Sequence, residues 1–187
     1  MFHDPIAVEK FKQLVEEFSI NTLIETGTDQ GHGAREAKKI VNHVHTIDNN
    51  SDLFLKRNLG PGISEWCGNS PDILRGLLTL SAEIPLRPTI CFYLDAHGGE
   101  YWPLLDELKV IAELGPRSCV IIIHDFKVPG KPWGFDSYGG KDLDLDYVRE
   151  SLSYINQDFN LSYNQVAEGN KRGILYALPP IERSSLT

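Results

Sequence analysis

Cysteine is scarce, with three in 187 residues at positions 67, 91 and 119. An odd number, without CxxC or Cys/His zinc spacing, argues against a disulfide framework or a structural zinc, and places in or beside predicted strands read as buried free thiols. Long apolar runs are missing as well. No stretch approaches the roughly 20 residues that span a bilayer, and the opening MFHDPIAVEKFK has no signal-peptide apolar region, so the expected compartment is the cytoplasm, with no membrane partner. Basic clusters are absent beyond short pairs such as Lys38-Lys39, and the net charge is −8. A nucleic acid would be repelled on average, which leaves a small molecule as the expected partner. Internal repeats and low-complexity tracts are also lacking.

What is present is ordinary in bulk and unusual in one place. A hydrophobic fraction of 41% with 24% charged residues suits a globular protein, and a chain of this length buries one core, so a single domain over 1–187 is expected. The unusual place is Asn21 to Gly33, NTLIETGTDQGHG. Leu23 and Ile24 read as the end of a buried strand and Ala34 to Val41 as a helix, so Gly27, Gly31 and Gly33 occupy a strand-to-helix turn. Such a turn lets the backbone approach a ligand closely. Its spacing is GxxxGxG rather than the dinucleotide fingerprint GxGxxG, and Glu25 stands two residues before the first glycine, which suits a cationic ligand better than a pyrophosphate.

The rest of the chain alternates. Residues 5–18 read as a helix, with Asp4 as its N-cap and Pro5 in its first turn. Strands follow at 44–48 and 63–67, with a short helix at 51–59 between them, then a helix at 71–84 and a strand in TICFYLDAHGG at 89–99. A helix at 102–114 precedes CVIIIHDF at 119–126, apolar enough to be a central parallel strand. Residues 127–143 carry glycines, prolines and aromatics and read as a loop of the kind that closes over a site. Helix 144–156 and strands at 159–167 and 172–179, around the turn 168–171, complete the pattern. The fold class is α/β: a seven-stranded, mostly parallel, Rossmann-like sheet with helices on both faces and a C-terminal antiparallel hairpin.

The run ETGTxxGxG at 25–33 resembles the first motif of the class I S-adenosylmethionine (SAM)-dependent methyltransferases, in the form found in small O-methyltransferase-like proteins. The resemblance extends to the order of elements over most of the chain. It implies SAM as cofactor, with Glu25, Gly27, Thr28 and Gly31 toward the methionine end and the turn at Asn69 and Ser70 against the adenine. Ser70-Pro71 is equally a helix start. Asp48 ends the second strand 23 positions after Glu25, where a carboxylate can accept from both ribose hydroxyls; the other reading is a cap for the next helix.

The ends of the fourth and fifth strands deliver Asp95, His97, His124 and Asp125. Two carboxylates with imidazole form a reasonable octahedral site for a divalent cation such as Mg²⁺. Asp95, His124 and Asp125 occupy positions like those of the ligands in metal-dependent O-methyltransferases, which leaves His97 to act as general base beside Asp95, with Lys127 the lesser choice. Asp95 as a turn cap and His124 as a buried, backbone-bonded histidine are the competing readings. Tyr101, Trp102, Trp133, Phe135 and Tyr138 could line an acceptor pocket, Trp102 serving equally well in the core. The expected activity is metal-assisted O-methylation of a small hydroxylated acceptor, a sugar or secondary metabolite. The alternatives are a nucleotide-cofactor oxidoreductase on a related sheet and a non-catalytic partner subunit; homo-oligomerisation is left open.

Overall fold

The computed structural model describes residues 1–80, 90–96 and 101–181. In chain order its strands are β1 (Thr22–Thr26), β2 (His43–Asp48), β3 (Ile63–Cys67), β4 (Ile90–Leu94), β5 (Val120–His124), β6 (Ser137–Tyr138), β7 (Lys141–Asp142), β8 (Asn160–Tyr163) and β9 (Ile174–Leu178). Seven of them form one sheet in the order β3-β2-β1-β4-β5-β9-β8. The first five in sequence are mutually parallel, and β9 runs antiparallel between β5 and β8. The two short strands β6 and β7 pair separately. This is the α/β architecture expected from the sequence.

Side-chain alternation divides the core into two layers. Leu23, Val44, Cys91, Tyr93, Val120, Ile122 and Tyr176 face one side of the sheet, where α1 (Pro5–Phe18) and α2 (His32–Lys38) bury Phe11, Leu14, Ala34 and Ala37. Ile24, Ile47, Phe92, Leu94, Ile121, Ile123 and Leu175 face the other, under α4 (Ser70–Leu80), α5 (Leu104–Leu114) and α6 (Leu145–Ile155). Alternate residues of one strand therefore serve two layers, which is why the central strands are continuously apolar. Phe11 and Leu14 are fully buried, each contributing about 1.5–3 kcal/mol, and fix α1 to the sheet. The short α3 (Ser51–Lys56) buries none of its residues. Among the described residues no helix is long and apolar enough to cross a membrane.

Several details depart from the sequence reading, among them α3, which ends at Lys56 rather than 59 because Arg57 turns to extended backbone. Helix α2 starts earlier and stops sooner than 34–41, because Gly31 takes a left-handed conformation as its N-cap and the chain tightens at Lys39 and Ile40. Residues 127–143 are not structureless: Gly139 and Gly140, both at positive φ, turn a small hairpin between β6 and β7. Strand β8 ends before 167, since the Asn164 side chain leaves the ladder to accept from the Ile174 amide and donate to the Arg172 carbonyl. Cys67 is exposed rather than buried, because β3 is the edge of the sheet; Cys91 and Cys119 are buried as expected. The expected extension of α4 over 81–84 and of the fourth strand to His97 and beyond lies outside the described residues.

Candidate functional site

Strand order reverses between β1 and β4, and a crevice opens there at the carboxyl ends of the parallel strands. A cavity of about 520 Å³ fills it, within the size range of small-molecule sites. Gly27, Asp48, Asn69, Ser70, Asp95, His124 and Asp125 all line it, as do Asp29, Asn49, Asn50 and Tyr101. Four of these are aspartates, and among the described residues neither lysine nor arginine lines it. An electron-poor ligand is favoured, a pyrophosphate is not.

Gly27 shapes the turn. It holds φ at 87°, and a Cβ there would collide with the Asp95 carbonyl, so only glycine lets the end of β1 pass this close to the end of β4. Its amide donates to the Ile47 carbonyl at 2.9 Å, which draws the end of β2 to the same place. Asp48 is there as a consequence. Its Oδ2 accepts from the Asp29 amide at 2.8 Å and from Arg57 Nη1 at 3.0 Å, and its Oδ1 accepts from the Asn50 amide at 2.9 Å. Asn50 itself, not Asp48, caps α3 through the Leu53 amide.

Arg57 and Asp29 were not singled out by the sequence. The Arg57 side chain is 4% exposed; it pairs with Asp48 and, through Nε, with Glu65 at 2.7 Å, and it bonds the Asp29 carbonyl. The guanidinium orients Asp48 while the rim of the carboxylate still faces the cavity. The available signal was a lone arginine nine positions after a strand-end acid, which by itself reads as a helix C-terminal residue.

Glu25, Thr28 and Gly31 are not brought to the cavity lining. Glu25 is buried behind the turn under the first residues of α2, where a Cβ at Gly33 would collide with its Oε1. Thr46 Oγ1 donates to Glu25 Oε2 at 2.6 Å and lies 2.7 Å from the Thr28 hydroxyl. Burial pushes the Glu25 carboxyl up to about 8, against the opposing effect of the Thr46 bond. Glu25 is therefore mostly protonated at neutral pH and holds the turn through a hydrogen-bond chain.

At the other end of the cavity, Asn69 Nδ2 donates to Asp72 at 3.0 Å and the Ser70 hydroxyl bonds the buried Glu107. Asp95, His124 and Asp125 converge, and the Tyr93 hydroxyl donates to Asp95 Oδ2 at 2.8 Å. His124 Nδ1 lies 3.2 Å from Asp95 Oδ1 and 3.1 Å from Asp125 Oδ1. Burial alone would lower the imidazole pKa, but its bonds to Asp125 and Asp95 outweigh that and raise it. Arg172 was also missed by the sequence reading: it bonds Asp125 and Asp136 together.

His97, the base expected from sequence, lies outside the described residues. Lys127 is engaged by Asp142 at 2.6 Å and does not line the cavity. Of the aromatics expected around an acceptor, Tyr101 lines the cavity. Trp102 is buried and stacks on Tyr147, with Tyr138 beside it. Trp133 and Phe135 lie under the ammonium groups of Lys131 and Lys127.

The sheet order gives the chain a Rossmann-like fold that it shares with solved structures of SAM-dependent methyltransferases. No family model and no curated protein matches the sequence. Solved structures do match. A putative caffeoyl-CoA O-methyltransferase from Staphylococcus aureus superposes with a TM-score of 0.60 at 14% identity, over 95% of this chain and 84% of that one. SAM-bound CalS10, an amino pentose methyltransferase from Micromonospora echinaspora, gives 0.60 at 10% identity, over 96% and 92% of the two chains. A precorrin 8W decarboxylase from Methanobacterium thermoautotrophicum gives 0.60 at 16% identity, over 94% and 90%.

Proposed function

We propose that this chain is a SAM-dependent methyltransferase acting on the hydroxyl of a small acceptor. The observation that carries the reading is the acid-lined cavity at the β1/β4 switch point, with the Asp48 carboxylate held at its rim by Arg57 and the Asp29 amide. The residues present fit the cofactor. Asp48 would receive the ribose hydroxyls, the turn at Gly68 to Ser70 the adenine, and the backbone at Gly27 the methionine end; Glu25 would support that turn from behind. SAM supplies a methyl group on a sulfonium, transferred by in-line displacement, so the protein's work is to place the acceptor oxygen and hold its proton.

His124 and Asp95 are arranged for the second task. With Nδ1 turned to the carboxylates, Nε2 is the nitrogen through which His124 takes up a proton. His97 is proposed as a further base on the sequence reading alone. The neighbours' names include both an O-methyltransferase and an amino pentose methyltransferase. They support methyl transfer to a small molecule more than the choice of a particular atom. An oxidoreductase built on this sheet would have to place a pyrophosphate among four aspartates, an arrangement disfavoured by charge.

The reading is tested by thermal unfolding with S-adenosylhomocysteine (SAH), SAM or NAD⁺. At 100 times its dissociation constant a ligand adds about 2.7 kcal/mol, a rise of about 5–11 °C in a domain of this size. The rise is expected with the two adenosyl ligands and not with NAD⁺. A rise with NAD⁺ alone would transfer the chain to the oxidoreductases, and no rise with any of the three would favour a non-catalytic subunit.

A further inference from the structure

The carboxylates and imidazole at the ends of β4 and β5 have donor atoms within 4.8 Å of one another, the set from which the sequence led to a divalent cation. Their hydrogen bonding does not fit one. His124 Nδ1 lies between Asp95 Oδ1 and Asp125 Oδ1, and a ring nitrogen between two carboxylate oxygens must carry a proton. Nδ1 is therefore closed to a cation, and a metal on His124 would have to use Nε2, on the far side of the ring from Asp95 Oδ1 and Asp125 Oδ1. Asp95 Oδ2 already accepts from the Tyr93 hydroxyl, and Asp125 Oδ1 from Arg172 Nε. A cation placed here would compete with these bonds and stand beside a guanidinium of like charge.

Arg172 is held in place by the surrounding fold. The buried Asn164 donates to its carbonyl at 3.1 Å, and the Gly173 amide donates to the Gly134 carbonyl at 3.2 Å, next to an isolated bridge between Gly134 and Arg172. A Cβ at Gly134 would come within 2.8 Å of Arg172 Nη1, so the loop passes directly against the guanidinium. Phe126 donates to the Gly173 carbonyl at 2.9 Å and Asp136 to the Asp125 carbonyl at 2.9 Å, tying both acids to the segment that carries the arginine. The early end of β8 at Asn164 brings this segment out of the hairpin and against Asp125 and Asp136.

We infer that Arg172 stands in for the divalent cation: its guanidinium balances Asp125 and Asp136, leaves Asp95 and His124 as a hydrogen-bonded acid–imidazole pair, and the site transfers methyl groups without a resident metal. The inference rests on the methyltransferase reading for its chemistry. An acceptor is then held by hydrogen bonds and not by chelation of neighbouring oxygens, and Arg172 is a positioning residue that acts through Asp125.

Electron paramagnetic resonance of Mn²⁺ titrated into the full chain tests this, with SAH affinity measured calorimetrically on the same preparations. The wild type should bind Mn²⁺ more weakly than about 1 mM, at the feeble end for a protein site. Arg172→Met should bind it at least tenfold more tightly, the gain vanishing when Asp95→Asn is added; Arg172→Lys, which keeps the charge, should behave as wild type. Wild-type binding tighter than about 0.1 mM that is lost in Asp95→Asn would overturn the inference. So would a folded Arg172→Met that binds no better than wild type. Should Arg172→Met not fold, the wild type and Arg172→Lys decide, weak binding by both supporting the inference and tight binding by either overturning it. Failure of SAH to bind would count against the methyltransferase reading while leaving the Mn²⁺ result readable.

Discussion

Asp48→Asn should weaken SAH binding by about 30- to 150-fold, the loss of about 2–3 kcal/mol expected when charge-assisted hydrogen bonds to a ribose become neutral ones. The variant is expected to fold. Arg57 keeps its Nε bond to Glu65, and an asparagine oxygen can still accept from the Asp29 amide and Arg57, with only the exposed bond from the Asn50 amide given up. Calorimetric titration measures the effect, and a 2′-deoxy analogue of SAH locates it: wild type should bind the analogue poorly, and Asp48→Asn should cost it little more, because the two changes remove the same interaction. Affinity within threefold of wild type would withdraw the ribose role and leave Asp48 as an anchor for Arg57 and the glycine turn.

Glu25→Gln should change the pH dependence of stability more than its stability at any one pH. The carboxyl is raised to about 8 in the folded chain, from an ordinary value of 4.5. Between these values the unfolded chain gives up the proton and the folded chain keeps it, so the unfolded state binds fewer protons and stability falls as pH rises. The loss is complete only above about 8. At about 1.4 kcal/mol for each tenfold difference in proton affinity, the wild type forfeits about 4 kcal/mol across that window. Glutamine in the same place has no proton to lose and can still accept from Thr46. Relative to wild type, Glu25→Gln should gain about 3 kcal/mol between pH 5 and pH 8, read as a relative rise of about 6–12 °C in the unfolding midpoint. Parallel pH profiles for the two proteins would mean that Glu25 is ionised in the folded state.

Glu25 also marks where sequence reading reached and where it stopped. An acid two residues before a glycine turn was legible, and so was the turn, because Gly27 at positive φ against the Asp95 carbonyl is a backbone requirement that only glycine meets. The direction of the acid was not. Whether such a carboxylate reaches the cavity depends on how far along its strand it lies: Glu25 pairs with Thr46, one residue short of the end of β1, while Asp48 stands two residues beyond Thr46 at the tip of β2 and lines the cavity. The seven strands were legible for a simpler reason: two-layer burial makes central strands apolar throughout, as in Cys91 to Leu94 and Val120 to Ile123.

Long-range pairings were not legible. Arg57 is 9 positions from Asp48 and Arg172 is 47 from Asp125, and nothing in the local pattern of either arginine separates a buried ion pair from a solvated charge. The same gap bears on the metal expectation. Residue types at the ends of β4 and β5 were read correctly as converging, but a donor set for a cation and a proton-sharing network can have the same composition. The Mn²⁺ titration of the wild type and Arg172→Met separates them.

The most decisive measurement is a crystal structure of the chain grown with saturating SAH. The ribose hydroxyls should lie within hydrogen-bond distance of the Asp48 carboxylate, the adenine against Gly68 to Ser70, and the sulfur should face Asp95 and His124. A ligand bound elsewhere, or a cavity that stays free of SAH under those conditions, would contradict the cofactor assignment and with it the methyltransferase reading.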